Sequence, residues 1–279
     1  MGEIRPILKW AGGKAKLLPE IRAMMPEKFG TYYEPFLGGA AVLFGVRPVS
    51  AVVNDINPEL MNLYRVVMKD PQGLIRLLKE HKANDSKEHF YAVREEDRDE
   101  FYRQRPAVER AARIVYLNKT CFNGLFRTNK DGYFNVPYGK YKDPLICDEE
   151  NILAVSEYFN DAFIMMHQGD FENVLAGVSA GDFVYMDPPC ASPDSAPGFT
   201  GCASMNFTMD DQRRLKETCD RLTSRGVMFL QSNSCCDAVM ELYKDYNIRV
   251  VTTNHVIGRK GDSRGAVEEV LISNYTKGD

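Results

Sequence analysis

The chain has 279 residues, 44% hydrophobic and 27% charged, which is long enough for one large hydrophobic core or for one core with a smaller inserted domain. No apolar run approaches the roughly 20 residues that cross a bilayer, and residues 1–9 lack the pattern of a secretory signal, so we expect a cytoplasmic protein without a membrane partner. The net charge of −4 argues against a protein that coats nucleic acid through its overall charge, although local charge has to be considered separately.

The first seventy residues alternate between helical and extended patterns. A helix is predicted near residues 15–26, and extended runs are predicted over residues 31–36 and 49–53. Asn57-Pro58 is typical of the cap and first residue of a helix, which we expect to reach about Met68. The predicted order is therefore helix, strand, glycine turn, helix, strand, acidic residue and helix.

The middle of the chain interrupts this alternation. Residues 71–118 have helical apolar spacing, and residues 118–141 change to glycine, asparagine, aromatic and basic residues, as in a structured loop or short hairpin. Residues 101–142, which we call the basic island, contain only Glu109 and Asp131 as acids against nine basic residues: Arg103, Arg105, Arg110, Arg113, Lys119, Arg127, Lys130, Lys140 and Lys142. Charge alone is equally typical of a solvated face.

Strand and helix patterns alternate again in the last part of the chain. The extended runs cover residues 162–166, 182–186 and 227–231, and helices are predicted near residue 172 and over 209–224. Two further runs, 248–252 and 267–273, have no helix pattern between them and are expected to pair antiparallel. We predict an α/β protein with a mostly parallel sheet, in which residues 1–57 and 146–279 form one domain and residues 58–145 a mainly helical insert.

Two strand ends carry residues suited to a nucleotide, because ligands of such sheets bind outside the carboxyl ends of the strands. Residues 36–40, Phe-Leu-Gly-Gly-Ala, form a tight turn after the first strand, and Asp55 ends the second. Glycines let a ligand approach the backbone, and the acid can accept hydrogen bonds from ribose hydroxyls. Each feature taken singly is also typical of an ordinary turn.

A third strand end carries Asp187-Pro188-Pro189. Proline fixes the backbone and removes N–H donors, so the Asp187 carboxylate and the Pro188 carbonyl are available to orient a base amine. The same segment is also typical of a strand that simply ends at proline.

Near the start, the only tryptophan, Trp10, precedes Gly12 and Gly13 and lies between two lysines. A lone tryptophan is typical of a core, but this one is also suited to cover a ligand, with Lys14 facing the carboxylate of an amino-acid-like cofactor. The seven cysteines have no Cys-x-x-Cys spacing and the chain has four histidines, so we expect neither a disulfide framework nor a metal site.

These segments together resemble the Dam-type DNA adenine-N6 methyltransferases of the D12 class. The resemblance rests on the segments at 9–14, 34–38, 54–57 and 187–189, and further on those at 116–118, 122–127, 134–139 and 206–208, so it covers nearly the whole chain. It implies a Rossmann-like methyltransferase fold with an inserted target-recognition domain. It also implies S-adenosylmethionine as cofactor, bound by Trp10, Lys14, Pro35, Phe36, Gly38, Asp55, Asp170, Phe171 and Asp187.

The resemblance further implies double-stranded DNA as partner, adenine N6 as the methylated atom and GATC as the site. The adenine has to be flipped out of the duplex. Phe122 and Asn123 match gap-filling positions, Arg127 matches a guanine reader, and Lys9, Leu125 and Pro137 match further base contacts. Methyl transfer from a sulfonium requires positioning and charge stabilisation, so no metal is expected. We expect a monomer with no obligate protein partner.

Two residues depart from the family pattern. Ala40 stands where the family commonly has glycine, and Cys190 ends the catalytic segment Asp187 to Cys190, where the family has tyrosine. Because cysteine does not stack on a flipped base, three outcomes are open. The enzyme works with a weaker hold on the base, another aromatic residue such as Phe207 or Phe199 covers it, or the protein is a DNA-binding module with weak catalysis. A cytosine-N4 methyltransferase remains an alternative, since the same turn orients either amine. A cysteine nucleophile is disfavoured, because Asp187 would raise the pKa of the thiol.

Overall fold

The fold is built on one seven-stranded sheet in a computed structural model that describes residues 4–189, 207–254 and 266–276. The strands are β1 (Tyr32–Glu34), β2 (Ser50–Val53), β3 (Phe163–Met166), β4 (Phe183–Met186), β5 (Met228–Ser234), β6 (Asn247–Asn254) and β7 (Ala266–Ser273). Their order is β3-β2-β1-β4-β5-β7-β6. The first five are parallel, and β7 runs antiparallel to both β5 and β6. The predicted mostly parallel sheet with a C-terminal antiparallel hairpin is confirmed.

Helices cover both faces of the sheet. They are α1 (Leu18–Met24), α2 (Ala41–Val46), α3 (Pro58–Lys69), α4 (Pro71–Ala83), α5 (Lys87–Glu95), α6 (Ala107–Thr120), α7 (Glu149–Asp161), α8 (Phe171–Leu175), α9 (Met209–Ser224) and α10 (Asp237–Leu242). Short 3-10 turns lie at Lys14–Lys16, Glu96–Arg98, Tyr102–Gln104 and Phe122–Gly124. The sequence patterns predict neither α7 nor α10.

The side chains of the strands alternate between two hydrophobic cores, as the two-residue period of a strand requires. In β4, Phe183 and Tyr185 pack into the core formed with α2 to α7, while Val184 and Met186 pack into the core formed with α8, α9 and α10. Burial on both faces explains why β4 is continuously apolar. This three-layer arrangement is the Rossmann-like methyltransferase fold, as expected.

Local signals in the sequence explain where the helices begin. The Asn57 side chain accepts hydrogen bonds from the backbone N–H groups of Glu59 (3.0 Å) and Leu60 (3.2 Å), with Pro58 as the first residue of α3. Thr208 and Asp211 form a capping box at the start of α9. Within the described residues, no helix is long and apolar enough to cross a membrane.

Five helices, α3 to α7, lie between β2 and β3, and the first four of them fall within residues 58–145, where the insert is predicted. The last of these four, α6, is buried on most of its surface and packs against α3 and α4. It ends at Thr120, directly before the 3-10 turn that contains Phe122. The core of the molecule therefore fixes where the loop after α6 begins.

Candidate active site and DNA-facing surface

Four acidic residues lie at the carboxyl ends of the parallel strands. Glu34 ends β1, Asp55 follows β2, Asp170 follows β3 and Asp187 follows β4. Because β1 lies between β2 and β4 in the sheet, Asp55 and Asp187 flank the same central strand. The structure therefore brings the nucleotide-type turn and the Asp-Pro-Pro turn to one edge of the sheet.

Asn54 connects three of these strand ends. Its buried side chain donates hydrogen bonds to the carbonyl oxygens of Pro35 (3.0 Å) and Gly169 (2.9 Å). Its own carbonyl accepts from the N–H of Leu37 at 2.8 Å. Asn54 therefore holds the loops after β1 and β3 together, a role that its place in the sequence directly before Asp55 does not reveal.

The glycine turn is covered by Trp10 and held by Asp55. Gly38 has a φ of +50°, and a Cβ there would lie 2.9 Å from Cδ1 of the Trp10 ring, so a larger residue would displace the ring. One oxygen of Asp55, Oδ2, accepts from Gly38 N–H at 2.9 Å, and Oδ1 accepts from Asn57 N–H at 2.9 Å. Burial raises the pKa of Asp55, and these N–H donors oppose the rise.

Ala40, the first departure from the family pattern, has a left-handed backbone with φ +58° and ψ 26°. For a residue with a Cβ this conformation costs roughly 1–2 kcal/mol, whereas glycine adopts it without that penalty. The position therefore favours the glycine that the family commonly has there.

The Asp187 carboxylate is held by a cation and a hydroxyl. Lys14 Nζ lies 3.0 Å from Asp187 Oδ1 and 3.1 Å from Glu269 Oε2 on β7. Ser232 Oγ on β5 donates to the same Asp187 Oδ1 at 2.8 Å, and it is itself 3.0 Å from the hydroxyl of Tyr185. Lys14 and Ser232 both contact Oδ1 of Asp187. The other oxygen, Oδ2, is therefore suited to accept a hydrogen bond from a further donor.

The charges of this group depend on one another. Burial raises the pKa of Asp187, while the Lys14 cation and the Ser232 hydroxyl lower it. Burial alone would lower the pKa of Lys14, but the two carboxylates reverse this and raise it above its ordinary value. Lys14 therefore stays cationic between Asp187 and Glu269.

The second proline of the catalytic turn is anchored from α9. Gln212, which is fully buried, donates from Nε2 to the Pro189 carbonyl at 3.4 Å. The Asn233 side chain on β5 donates to Gln212 Oε1 at 3.1 Å. Cys190 and Phe199 lie outside the described residues.

Three phenylalanines form an aromatic cluster beside the turns after β1 and β3. The ring centroids of Phe36 and Phe171 are 5.2 Å apart, and the Phe207 ring lies 5.8 Å from Phe36 and 6.3 Å from Phe171. Phe207 therefore packs with Phe36 and Phe171, two of the residues expected to contact the cofactor. Because Phe171 is 4% exposed, the apolar surface that this cluster offers to a planar heterocycle belongs to Phe36 and Phe207.

Asp170 has a second partner that the sequence analysis missed. Its carboxylate caps α8 by accepting from Glu172 N–H at 3.0 Å. Both of its oxygens also lie 3.1 Å from Arg214 Nη2, and the Arg214 guanidinium is 5.1 Å from the centre of the Phe171 ring. A ligand that hydrogen-bonds to Asp170 would share the carboxylate with Arg214.

The six residues expected to contact DNA lie on one surface, which we call the recognition surface: Lys9, Phe122, Asn123, Leu125, Arg127 and Pro137. Phe122 N–H donates to the Pro137 carbonyl at 2.8 Å, and the Phe122 side chain remains 44% exposed. Arg127 Nε donates to Asn135 Oδ1 at 2.7 Å. An aromatic side chain left in solvent on a basic loop is not used for packing, which favours an intermolecular role.

Besides Asn54 and Arg214, four site residues were not predicted from the sequence: Ser232, Glu269, Gln212 and Asn233. One signal was present for two of them, since residues 231–234 form a polar run, Gln-Ser-Asn-Ser, at the carboxyl end of a buried strand. Glu269 and Gln212 gave no comparable signal. Among residues 4–189, 207–254 and 266–276, no group of three or more His, Cys, Asp or Glu side chains is arranged to hold a metal ion.

Comparison with known proteins identifies the family. The model of the D12 class N6 adenine-specific DNA methyltransferases matches residues 10–257. The chain is 44% identical to the Type II methyltransferase M1.LlaDCHI of Lactococcus lactis subsp. cremoris, with 98% of this chain and 96% of that protein covered. It is 39% identical to the Type II methyltransferase M.MjaIII of Methanocaldococcus jannaschii (98% and 100% covered) and 33% identical to the DNA adenine methylase of Vibrio cholerae (97% and 96% covered). The chain therefore belongs to the D12 class of N6 adenine-specific DNA methyltransferases.

Proposed function

We propose that this protein methylates N6 of an adenine that is flipped out of duplex DNA, within the sequence GATC. The observation that carries the proposal is the Asp187 carboxylate, which Lys14 and Ser232 hold through Oδ1 at the edge of the sheet where the glycine turn lies. A carboxylate fixed in this way is suited to accept a hydrogen bond from an exocyclic amine and to stabilise the positive charge that grows on its nitrogen.

The methyl donor of this family is S-adenosylmethionine, which supplies a methyl group on a positively charged sulfur. The residues at the strand ends fit this molecule: Asp55 offers a carboxylate beside the glycine turn, and Phe36, packed against Phe171, offers aromatic surface for an adenine ring. Trp10 covers the glycine turn from the outside, and Lys14 is a cation suited to a cofactor carboxylate. Asp170 would share its carboxylate between Arg214 and the cofactor.

At the base, we assign Asp187 and the Pro188 carbonyl as acceptors that direct the amine lone pair toward the methyl donor. The anchoring of the Pro189 carbonyl by Gln212 limits movement of this turn. The role of Cys190 in this segment is proposed from its sequence position alone. A rigid turn matters here because in-line methyl transfer requires the two reacting atoms to be held in a fixed geometry.

On the DNA side, we assign Phe122 and Asn123 to the space left by the flipped adenine. Flipping costs a few kcal/mol, and residues that fill the gap offset this. Arg127 is suited to bind guanine, because Asn135 occupies its Nε and leaves the terminal nitrogens to form a bidentate pair with O6 and N7. Lys9, Leu125 and Pro137 complete the proposed base contacts.

The test is to incubate the purified full chain with labelled S-adenosylmethionine and two duplexes, one with GATC and one with the same base composition in scrambled order. We expect N6-methyladenine in the GATC duplex alone by mass spectrometry of the nucleosides, and its loss in Asp187→Asn. N4-methylcytosine would identify the other amine as the target. Selective binding of GATC without methylation would instead show a DNA-binding module with a weak catalytic site, because Cys190 does not stack on the base as a tyrosine would.

A further inference from the structure

Asn118, near the end of α6, joins two segments of the recognition surface that are far apart in sequence. Its side chain is 1% exposed. Its Oδ1 accepts from Lys9 N–H at 2.9 Å, and its Nδ2 donates to the Lys9 carbonyl at 2.9 Å and to the Gly124 carbonyl at 2.9 Å. One buried amide therefore bonds to both backbone groups of Lys9 and to the turn that follows Phe122 and Asn123.

The side chain of Lys9 lies directly on the turn that Asn118 binds. Gly124 has a φ of +64°, and a Cβ there would lie 2.6 Å from Cδ of Lys9. The Lys9 ammonium is 5.9 Å from the centre of the Tyr141 ring. The backbone of Lys9 is thus fixed by Asn118, and its aliphatic stem is supported by Gly124.

Asn151 on α7 provides an internal comparison. It binds Arg5 in the same way, accepting from Arg5 N–H at 2.9 Å and donating to the Arg5 carbonyl at 3.0 Å. Both asparagines therefore anchor the same N-terminal segment to a helix. Only Asn118 adds a third bond, to Gly124, and so only Asn118 couples that segment to the recognition surface.

We propose that Asn118 is a positioning residue for base recognition, which sets where the Lys9 ammonium meets a base edge relative to Phe122, Asn123 and Arg127. This inference rests on the proposed DNA-binding role of Lys9. A lysine side chain is long and flexible, so its ammonium group selects one base edge only when the lysine backbone is held in place. Without Asn118, the buried Gly124 carbonyl and both Lys9 backbone groups lose their partner.

The experiment measures base selectivity with a library of duplexes that carry one adenine between randomised flanking positions, with the methylated products identified by sequencing. The flanking position at which Lys9→Ala loses base selectivity is the position that Lys9 contacts. We expect Asn118→Ala to lose about tenfold selectivity at that same position, and to have no added effect on selectivity in the Lys9→Ala background. The matched control, Asn151→Ala, should keep the wild-type profile, because it removes the same kind of anchor without touching Gly124.

A second pair of variants tests the contact from the other side if Asn118→Ala does not fold. Gly124→Ala drives a methyl group into Lys9, whereas Gly132→Ala introduces the same backbone strain, at φ +87°, with no atom within 4 Å of the new methyl. Selectivity should fall in Gly124→Ala and not in Gly132→Ala. If Lys9→Ala leaves the profile unchanged, the assigned role of Lys9 fails and the inference fails with it. If Lys9→Ala changes the profile and neither Asn118→Ala nor Gly124→Ala does, the inference is wrong while the proposed function stands.

Discussion

Glu34 and Asp187 lie at the ends of adjacent strands and have different surroundings. Glu34 is 2% exposed and accepts a hydrogen bond from the Tyr32 hydroxyl at 2.8 Å. Burial raises the pKa of Glu34 to about 8, and the Asp187 charge adds to the rise. Asp187 has a cation and a hydroxyl as partners, whereas Glu34 has the Tyr32 hydroxyl and the backbone of Leu43, neither of which is charged. Burial therefore favours the protonated form of Glu34.

Stability should consequently fall as the pH rises. Because the pKa of Glu34 is raised on folding, its contribution is fully present below the unfolded value of 4.5 and is lost as the pH passes through about 8. The loss should be on the order of 3–5 kcal/mol. Glu34→Gln keeps an acceptor for Tyr32 and removes the titration. We expect its free energy of unfolding to exceed that of the wild type increasingly from pH 5 to pH 9 in denaturant titrations.

Glu27, which is exposed in the loop before β1, gives the control for this measurement. Glu27→Gln should reproduce the pH dependence of the wild type. If Glu34→Gln did the same, burial of Glu34 would not govern the alkaline loss of stability.

Ser232 should determine the acid side of the activity profile. Its hydroxyl lowers the pKa of Asp187, so Ser232→Ala raises that pKa further. Because the proposed mechanism needs an ionised Asp187, we expect kcat to fall about tenfold at neutral pH and the acid midpoint of the kcat profile to move to higher pH. The check is a pH–rate profile with saturating DNA and cofactor. Ser234→Ala, at the end of the same strand, should show no displacement of the midpoint.

The residues of the site that could be predicted from sequence are those at strand ends. Asp55 and Asp187 stand out because each follows an apolar run and precedes a helix cap or two prolines. Their partners could not be predicted in this way, since Ser232 is 45 positions from Asp187 in the sequence and meets it only through the pairing of β4 with β5. Glu269 likewise depends on β7 lying next to β5, which no local pattern specifies.

At the scale of elements, several long segments were predicted well, but the 13-residue helix α7 was missed. The predicted helix at 209–224 matches α9, and the predicted antiparallel pairing of the last two strands is confirmed. The helix α10 was missed because it has only six residues and follows a strand whose polar end resembles a loop. Residues 71–118 read as helical throughout, but two 3-10 turns separate α5 from α6 there. Short elements depend on tertiary packing, which local propensity does not contain.

The edge strand β3 leaves an apolar patch uncovered. Phe163 is 82% exposed and Met165 59% exposed, and both lie on a strand at the edge of the sheet. An exposed apolar edge strand is a site for unwanted pairing between molecules.

A charge on β3 should therefore reduce association without affecting activity. We expect Phe163→Lys to raise the temperature at which light scattering begins, with a change in folding free energy within about 0.5 kcal/mol because the side chain is exposed. Ile164→Lys is the contrasting variant, since residue 164 faces the core and the substitution should destabilise the fold. Identical scattering of Phe163→Lys and the wild type would show that the patch does not drive association.

For the whole molecule, net charge conceals the proposed DNA contact. The chain carries a formal charge of −4, yet the basic island contains nine basic residues, of which Arg105, Arg110 and Arg113 pair with acidic side chains of the protein itself. Contacts with phosphates release counterions, so the affinity for DNA should fall steeply with salt despite the acidic protein.

One lysine of the island provides the measurement. We expect Lys142→Ala to reduce the slope of log K against log salt by about 0.9 when affinity is measured by fluorescence anisotropy between 50 and 200 mM salt. Lys244→Ala should leave the slope unchanged, because that lysine follows α10, outside the basic island, and pairs with Glu241 at 2.7 Å. If Lys142→Ala had the same slope of log K against log salt as the wild type, Lys142 would not contact a phosphate.

The ion pair between Lys14 and Glu269 has a consequence for protein synthesis. Glu269 lies on β7, so Lys14 and its other partner, Asp187, leave the ribosome well before it. Until β7 pairs with it, β5 has only β4 as a neighbour. Domains fold as units once their elements have emerged, so we expect the nascent chain to hold an incomplete catalytic centre until β7 has left the ribosome. A ribosome-bound chain that has released β4 but not β7 would then hold Lys14 and Asp187 without Glu269.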